Sequence, residues 1–146
     1  MTASGADIVH IDDATAAEDV RKEIGDARVA LAVDSVGGVS AARLLDLLSE
    51  GGSLVAYATA TGQPMPVDEL TLIVKRATVR GFFAGHYDYA TKVLPVIREA
   101  APLVASGALF VPVAAVFDLE DIHAAIRQLE RGGKVLLRVA TGKETA

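Results

Sequence analysis

The chain has 146 residues, 51% of them hydrophobic and 23% charged, a balance that fills one ordinary globular core and excludes disorder. Its net charge of -5 comes from acids and bases mixed along the chain, which leaves no basic stripe for nucleic acid and no polybasic anchor for a membrane. With 0 cysteines there is no disulfide or thiolate metal site in this chain, and neither a signal-peptide pattern at Met1 to Ala6 nor a bilayer-length apolar stretch, so a cytoplasmic location is expected.

Residues 7–11 read as a short strand, after which Asp13 can cap a helix whose shared face is Ala17, Val20 and Ile24 and which Gly25 stops. The run at 29–34 is too short for a helix and too apolar for a half-exposed strand, so it predicts a strand buried on both faces of a parallel sheet. It ends in Asp34-Ser35-Val36-Gly37-Gly38, at the carboxyl end of the strand, where such sheets bind ligands. Ser40 is placed to cap the next helix, with Ala41, Leu44, Leu45 and Leu48 inward and Gly51 and Gly52 at its end. A buried strand at 53–58, a Gly- and Pro-bearing loop at 59–66, a short helix at 68–75 and a strand at 78–84 follow.

That alternation argues for parallel strands joined by right-handed crossovers. Residues 88–106 are helical by pattern, but Pro95 and Pro102 each remove a helix hydrogen bond, which predicts a kink or two consecutive helices before Gly107. Residues 109–116 read as a strand in which Pro112 suits an edge. Asp118 and Asp121 open a last helix with Ile122, Ala125, Ile126 and Leu129 as its inner face, Gly133 precedes a strand at 134–139, and the tail from Thr141 reads as frayed. There is no repeat, linker or low-complexity tract.

Taken in order and spacing, Gly5-Ala6-Asp7, Asp34 to Gly38, the Gly51-Gly52-Ser53 start of the third strand run, Arg80-Gly81-Phe82-Phe83, Phe117-Asp118-Leu119 and Gly133-Lys134-Val135 resemble the carboxyl-terminal half of the medium-chain dehydrogenase/reductase superfamily. The nearest branch looks like the zinc-independent quinone oxidoreductases and enoyl thioester reductases. The resemblance implies an α/β fold: a partial Rossmann-like parallel sheet with flanking helices that lacks the first strand-helix-strand unit, plus a strand-helix-strand tail. It sets the partial nucleotide-binding domain at 1–107 and the tail, which in the family packs on the catalytic domain, at 108–146. The family's GroES-like barrel and glycine-rich turn have no counterpart, and no G-x-G-x-x-G occurs, so the pyrophosphate site has no candidate. The chain is therefore expected to be a fragment, a subunit that needs a companion, or a domain that has lost catalysis.

By the same resemblance, Ser35, Val36, Gly37, Tyr57, Ala58, Thr59, Phe82, Phe83 and Ala84 would line the nicotinamide-ribose half of the cofactor pocket, at the ends of consecutive strands. Tyr57 reads equally as a core or interface aromatic, packing is the simpler reading of Phe82 and Phe83, and Gly37 and Gly38 serve turn geometry. Asp34 is either a general acid, a ribose ligand, or, more simply, a cap on the turn that follows. His10, His86 and His123 are scattered without a partner at helical spacing, which argues against a metal site, and only His86 falls near the pocket. Lys134 and Arg138 would reach a cofactor phosphate in a complete enzyme or else are solvated.

Two functions follow. One is the cofactor-domain portion of an NADP(H)-dependent oxidoreductase that transfers hydride to a quinone or activated double bond, inactive alone and binding no cofactor tightly by itself. The other is a non-catalytic module that kept the sheet and its self-association edge. Either is expected to be a homodimer through the edge strand at 78–84, with a companion catalytic subunit as a further partner. The strand at 7–11 is expected to slide inward against 29–34 to cover an otherwise bare edge. Substrate, and NAD against NADP, stay open.

Overall fold

The apolar runs that follow residue 28 build a parallel sheet, and the helices between them lie against one of its faces. A computed structural model describes residues 5–139, which divide into two units between Val93 and Leu94. The expectation for the tail from Thr141 lies outside the described residues.

In the first unit, helix α1 (Ala16–Ile24) starts after Thr15, whose N–H and hydroxyl donate to Asp13 Oδ1 at 2.9 and 3.0 Å. Those bonds, the backbone one foremost, hold the Asp13 carboxyl below its ordinary value. Strands β1 (Leu31–Asp34), β2 (Ser53–Ala56) and β3 (Thr78–Gly81) pair in parallel in that order, with Leu54 level with Ala32 and Val79. Helices α2 (Gly38–Leu47) and α3 (Glu69–Lys75) make the crossovers. Successive crossovers of one hand in one direction put both helices on one side. The core accordingly joins Ala32 and Leu54 of the sheet to Ala41, Leu45 and Leu48, with Leu44 and Leu72 packed beside them. Burial of Leu45, Leu48 and Leu54 is worth about 1.5–3 kcal/mol each.

Two expectations fail here. Strand β1 is buried on one face only, since Leu31 and Val33 are 58% and 56% exposed on the face that has no helix. Residues 7–11 form no strand and do not cover the free edge of β1. The segment is drawn to the helices instead, through His10 Nε2 and Glu23 Oε2 at 2.9 Å and Asp12 Oδ1 and Arg43 Nη1 at 3.1 Å. The ion pairs of His10 and of Asp12 just beyond it hold the segment beside α1 and α2, at the cost of leaving Val9 and Ile11 exposed.

The expected helix start at Ser40 is also corrected: α2 begins at Gly38, and Ser40 lies within its first turn. At the other end of α2, Arg21 donates to the Asp46 carbonyl at 2.7 Å and Lys75 donates to the same oxygen, so two cations meet the negative helix terminus. Burial, then the charge of Arg21, pulls Lys75 below the ordinary lysine value.

Helix α3 is capped by Asp68, whose Oδ2 accepts from Thr71 N–H at 2.8 Å. After β3, a short 3-10 turn at Ala84–His86 and a π-helical turn at Tyr89–Val93 complete this unit. The strand runs at 29–34, 53–58 and 78–84 are thus trimmed to their hydrogen-bonded centres.

The second unit opens with α4 (Leu94–Ala105), so 88–106 is indeed two consecutive helical segments. Pro95 sits in the first turn of α4, where a helix lacks N–H partners anyway, and Pro102 lies inside it. Strand β4 is Val113–Asp118 rather than 109–116, because Pro112 has no N–H to give and pairing begins just beyond it. It pairs in parallel with β5 (Lys134–Arg138), and Arg138 meets Asp118 at 2.9 Å across the two strands. Between them α5 (Ile122–Glu130) buries Ala125 alone, while Ile126 and Leu129, expected inside, are 48% and 59% exposed.

Candidate functional site

The carboxyl ends of the three strands of the first sheet are stitched together by backbone hydrogen bonds. Tyr57 N–H donates to Asp34 C=O at 2.9 Å, Ala60 N–H to Ser35 C=O at 3.0 Å, and Thr61 N–H and hydroxyl to Val36 C=O at 3.0 and 2.9 Å. The turn after β1 and the turn after β2 are therefore tied to each other through their backbones. Phe82 N–H continues the seam to Ala56 C=O at 2.8 Å.

Asp34 is 2% exposed, and its carboxylate accepts from Val36 N–H at 3.0 Å and from Gly37 N–H at 3.2 and 3.1 Å. The cap is thus what its geometry serves: both oxygens face backbone at the positive end of α2. Gly37 is required twice over. Its φ is +78°, and a Cβ there would stand 2.6 Å from Thr59 Oγ1.

Of the residues expected at the site, Ser35, Val36, Gly37, Tyr57, Ala58 and Thr59 are brought together by this seam. Phe82, Phe83 and Ala84 continue β3 on the other side of β2. Phe82 stacks on Tyr87 with ring centres 5.5 Å apart, and Phe83 meets His86 edge-on at 5.0 Å. All four rings lie in the exposed or intermediate surface, so these aromatics are not core.

Beside the seam opens a cleft of about 570 Å3, within the range of small-ligand sites. Residues 36–40 and Arg43 form one wall, Thr61 and residues 63–66 the other, and Asp12 stands at the rim. Only Val36 and Gly37 of the expected residues line it. Sequence reasoning missed Arg43 and the Gln63-Pro64-Met65-Pro66 wall; the signal for the wall was the extended backbone that two alternate prolines impose.

The sequence pattern of the zinc-binding dehydrogenase family matches residues 4–137. Among curated proteins, the chain is similar to the mitochondrial enoyl-[acyl-carrier-protein] reductase of Homo sapiens, 30% identical over 99 residues, covering 66% of this chain and 26% of that protein. The Xenopus tropicalis reductase is 29% identical over 106 residues, covering 68% of this chain and 30% of the relative. Among solved structures, a mycobacterial protein complexed with NADPH superposes with a TM-score of 0.74 at 25% identity, over 94% of this chain and 45% of that one. The chain thus spans under a third of the curated relatives and under half of the solved one.

The zinc in the family's description does not fit the residues present. The chain has 0 cysteines, His10 pairs with Glu23, His86 lies against Phe83 and His123 is exposed on α5. Among the described residues no three His, Asp or Glu side chains gather to hold an ion. With the match running from 4 to 137 and the parallel sheet, crossovers and strand-end seam in place, the chain belongs to the zinc-binding dehydrogenase family, as a carboxyl-terminal cofactor-domain portion of the medium-chain dehydrogenase/reductase superfamily.

Proposed function

We propose that this chain supplies the carboxyl-terminal part of the cofactor domain, residues 1–107 with a tail at 108–146, of a zinc-independent, cytoplasmic reductase that uses NADP(H) to reduce a quinone or an activated double bond. The observation that carries this is the seam itself: strand ends locked together by Asp34, Gly37 and Thr59 beside an open cleft, at the position where parallel sheets hold ligands. The names of its relatives, enoyl reductases and an NADPH-bound protein, support the choice of chemistry.

When bound, NADP(H) supplies a hydride that, with one proton from water, reduces the acceptor by two electrons and leaves NADP+. The chain's own part is to orient and to exclude water. Backbone at Ser35 and Val36, the 57–59 turn and the Phe82 to Ala84 stretch would flank the nicotinamide ribose, and the Asp34 cap fixes the turn that carries Val36 and Gly37. There is no glycine-rich pyrophosphate cradle here. Loss of even ~4 kcal/mol of such contacts weakens binding about a thousandfold, so the chain alone binds NADPH no better than roughly millimolar and turns over no quinone.

A second reading, a non-catalytic module that dimerises through residues 78–84, is favoured by β3: it is an edge strand, exposed at every residue, and Phe83 beyond it is 63% exposed. A companion catalytic subunit fits either reading. NADPH fluorescence separates them. The 146-residue chain alone should give no saturable enhancement at micromolar concentration, whereas its fusion to the barrel and glycine-rich half of a relative should bind NADPH and reduce quinone. A fusion that binds none hands first place to the module.

A further inference from the structure

Between α1 and α2 lies a second, smaller chamber of about 230 Å3. Its floor is Ala16, Ala17 and Val20 of α1 with Leu44 and Leu47 of α2, all half-buried, and Ile11 lies over it. A space lined by apolar side chains gives water few partners and takes apolar matter instead. It falls short of the roughly 300–1,000 Å3 of drug-sized sites, which suits a short chain and not a dinucleotide.

The chamber and the cleft beside the seam share Asp12, Ser40 and Arg43, so the Asp12–Arg43 ion pair at 3.1 Å is part of the wall between them. That wall is lightly held. Arg43 stands on α2, but Asp12 belongs to the irregular segment before α1, whose backbone at 7–12 makes no hydrogen bond to either helix among the described residues. Val9 and Ile11 of that segment are 42% and 83% exposed, so lifting it uncovers no core. The Asp12 side chain is itself 49% exposed and returns to water at little cost. His10 is engaged by Glu23 at 2.9 Å, which leaves Arg43 as the cation at the chamber's mouth once Asp12 withdraws. Exchanging one carboxylate for another on Arg43 gains little, so a ligand that displaces Asp12 must draw its affinity from an apolar part lodged in the chamber.

We propose that this chamber binds a small monocarboxylate with an unbranched alkyl chain, its carboxylate taking the place of Asp12 on the Arg43 guanidinium and its chain lying over Val20, Leu44 and Leu47. The planar fork of a guanidinium meets a carboxylate through two parallel N–H bonds, whereas Arg43 gives Asp12 one. The chain completes the burial of side chains that the two helices leave half covered. None of the strand-end residues lines the chamber, so such a site is independent of the cofactor reading.

The test titrates the 146-residue chain with octanoate, hexanoate and octanol, followed by amide chemical shifts. Octanoate should move residues 10–12, α1 and α2, and should bind more tightly than hexanoate by about fourfold for each further methylene that is buried. Octanol carries the same chain without the charge and should bind several-fold more weakly. Asp12→Asn, which removes the competing carboxylate, should tighten octanoate and leave octanol unchanged, whereas Arg43→Gln should bring octanoate down to the level of octanol. Ala17→Leu, which fills the chamber from α1, should abolish the gain from chain length. The three probes on the unaltered chain decide the matter even where a variant fails to fold. Equal binding of octanoate and octanol, equal binding of octanoate and hexanoate, no shift with any of them, or shifts that fall on β4 and β5 in place of α1 and α2 would each overturn the inference and leave the cofactor reading as it stands.

Discussion

The two units of this chain are built from the same parts, parallel strands joined by a crossover helix, yet only one of them closes a core. In the first, Ala41 and Leu45 of α2 and its C-cap Leu48 lie on Ala32 and Leu54, all of them at most 7% exposed. In the second, the α5 crossover buries Ala125, and Val116, Leu136 and Leu137 on its strands remain 50%, 41% and 38% exposed. The difference lies in how much of the sheet face is covered. A third strand and a second helix let the first unit enclose its apolar face, whereas the single crossover helix of the second leaves its strands half exposed. The candidate site rests on the unit that can hold it rigid.

The sharpest way to break this comparison is to delete equal side chains from the two crossover helices. Leu45→Ala should cost about 3 kcal/mol in chemical denaturation, since Leu45 is 2% exposed and leaves a cavity that the sheet cannot fill. Leu129→Ala, at 59% exposure, should stay within about 0.5 kcal/mol. Equal losses would mean that something covers α5 in solution, and the contrast between the units would be gone.

The next effect is at the seam. Gly37→Ala should destabilise by about 1–3 kcal/mol, because it places a side chain at φ +78° and a Cβ 2.6 Å from Thr59 Oγ1. The two causes separate in a double-mutant cycle: Thr59→Ala removes the clash and leaves the backbone strain, so part of the loss should return in the pair. No recovery would show that φ alone demands the glycine and that the two turns are not in contact at that point.

What the sequence displayed, and what it hid, follows the same line between local and distant causes. The inner face of α2 was legible because Ala41, Leu45 and Leu48 repeat at the helical period, and the Asp34 cap was legible because an acid before two glycines has backbone amides within reach. The fate of residues 7–11 was not, because their alternation suits a strand and only the partners Glu23 and Arg43, far along the chain, decide otherwise. The exposed second face of β1 was hidden too: an apolar run does not say how many layers will cover it. Arg43 escaped notice because a cation on a helix reads as solvated until the loop at 63–66 closes a wall opposite it.

The smallest effect compares two helix starts with the same cap chemistry and different support. Asp68 accepts from Thr71 N–H at 2.8 Å and from its hydroxyl at 2.6 Å, and Asp88 does the same for Thr91 at 2.8 and 2.7 Å. In both, the threonine hydroxyl first and its amide second hold the carboxyl below its ordinary 3.8. A carboxyl whose folded value is depressed adds stability that is present above 3.8 and lost as pH falls through the lower folded value. Acidification below 3.8 should therefore release both caps, and Asp68→Asn and Asp88→Asn, which cannot ionise, should each remove the pH dependence at its own helix. The consequences should differ. Leu72 ties α3 to the core, so only the first turn there should lose amide protection, whereas α4 beyond the Asp88 cap has no buried residue to hold it and should fray along its length. Amide exchange that stays equal in the two helices through the acid range would show that α4 is held by contacts its exposure does not reveal.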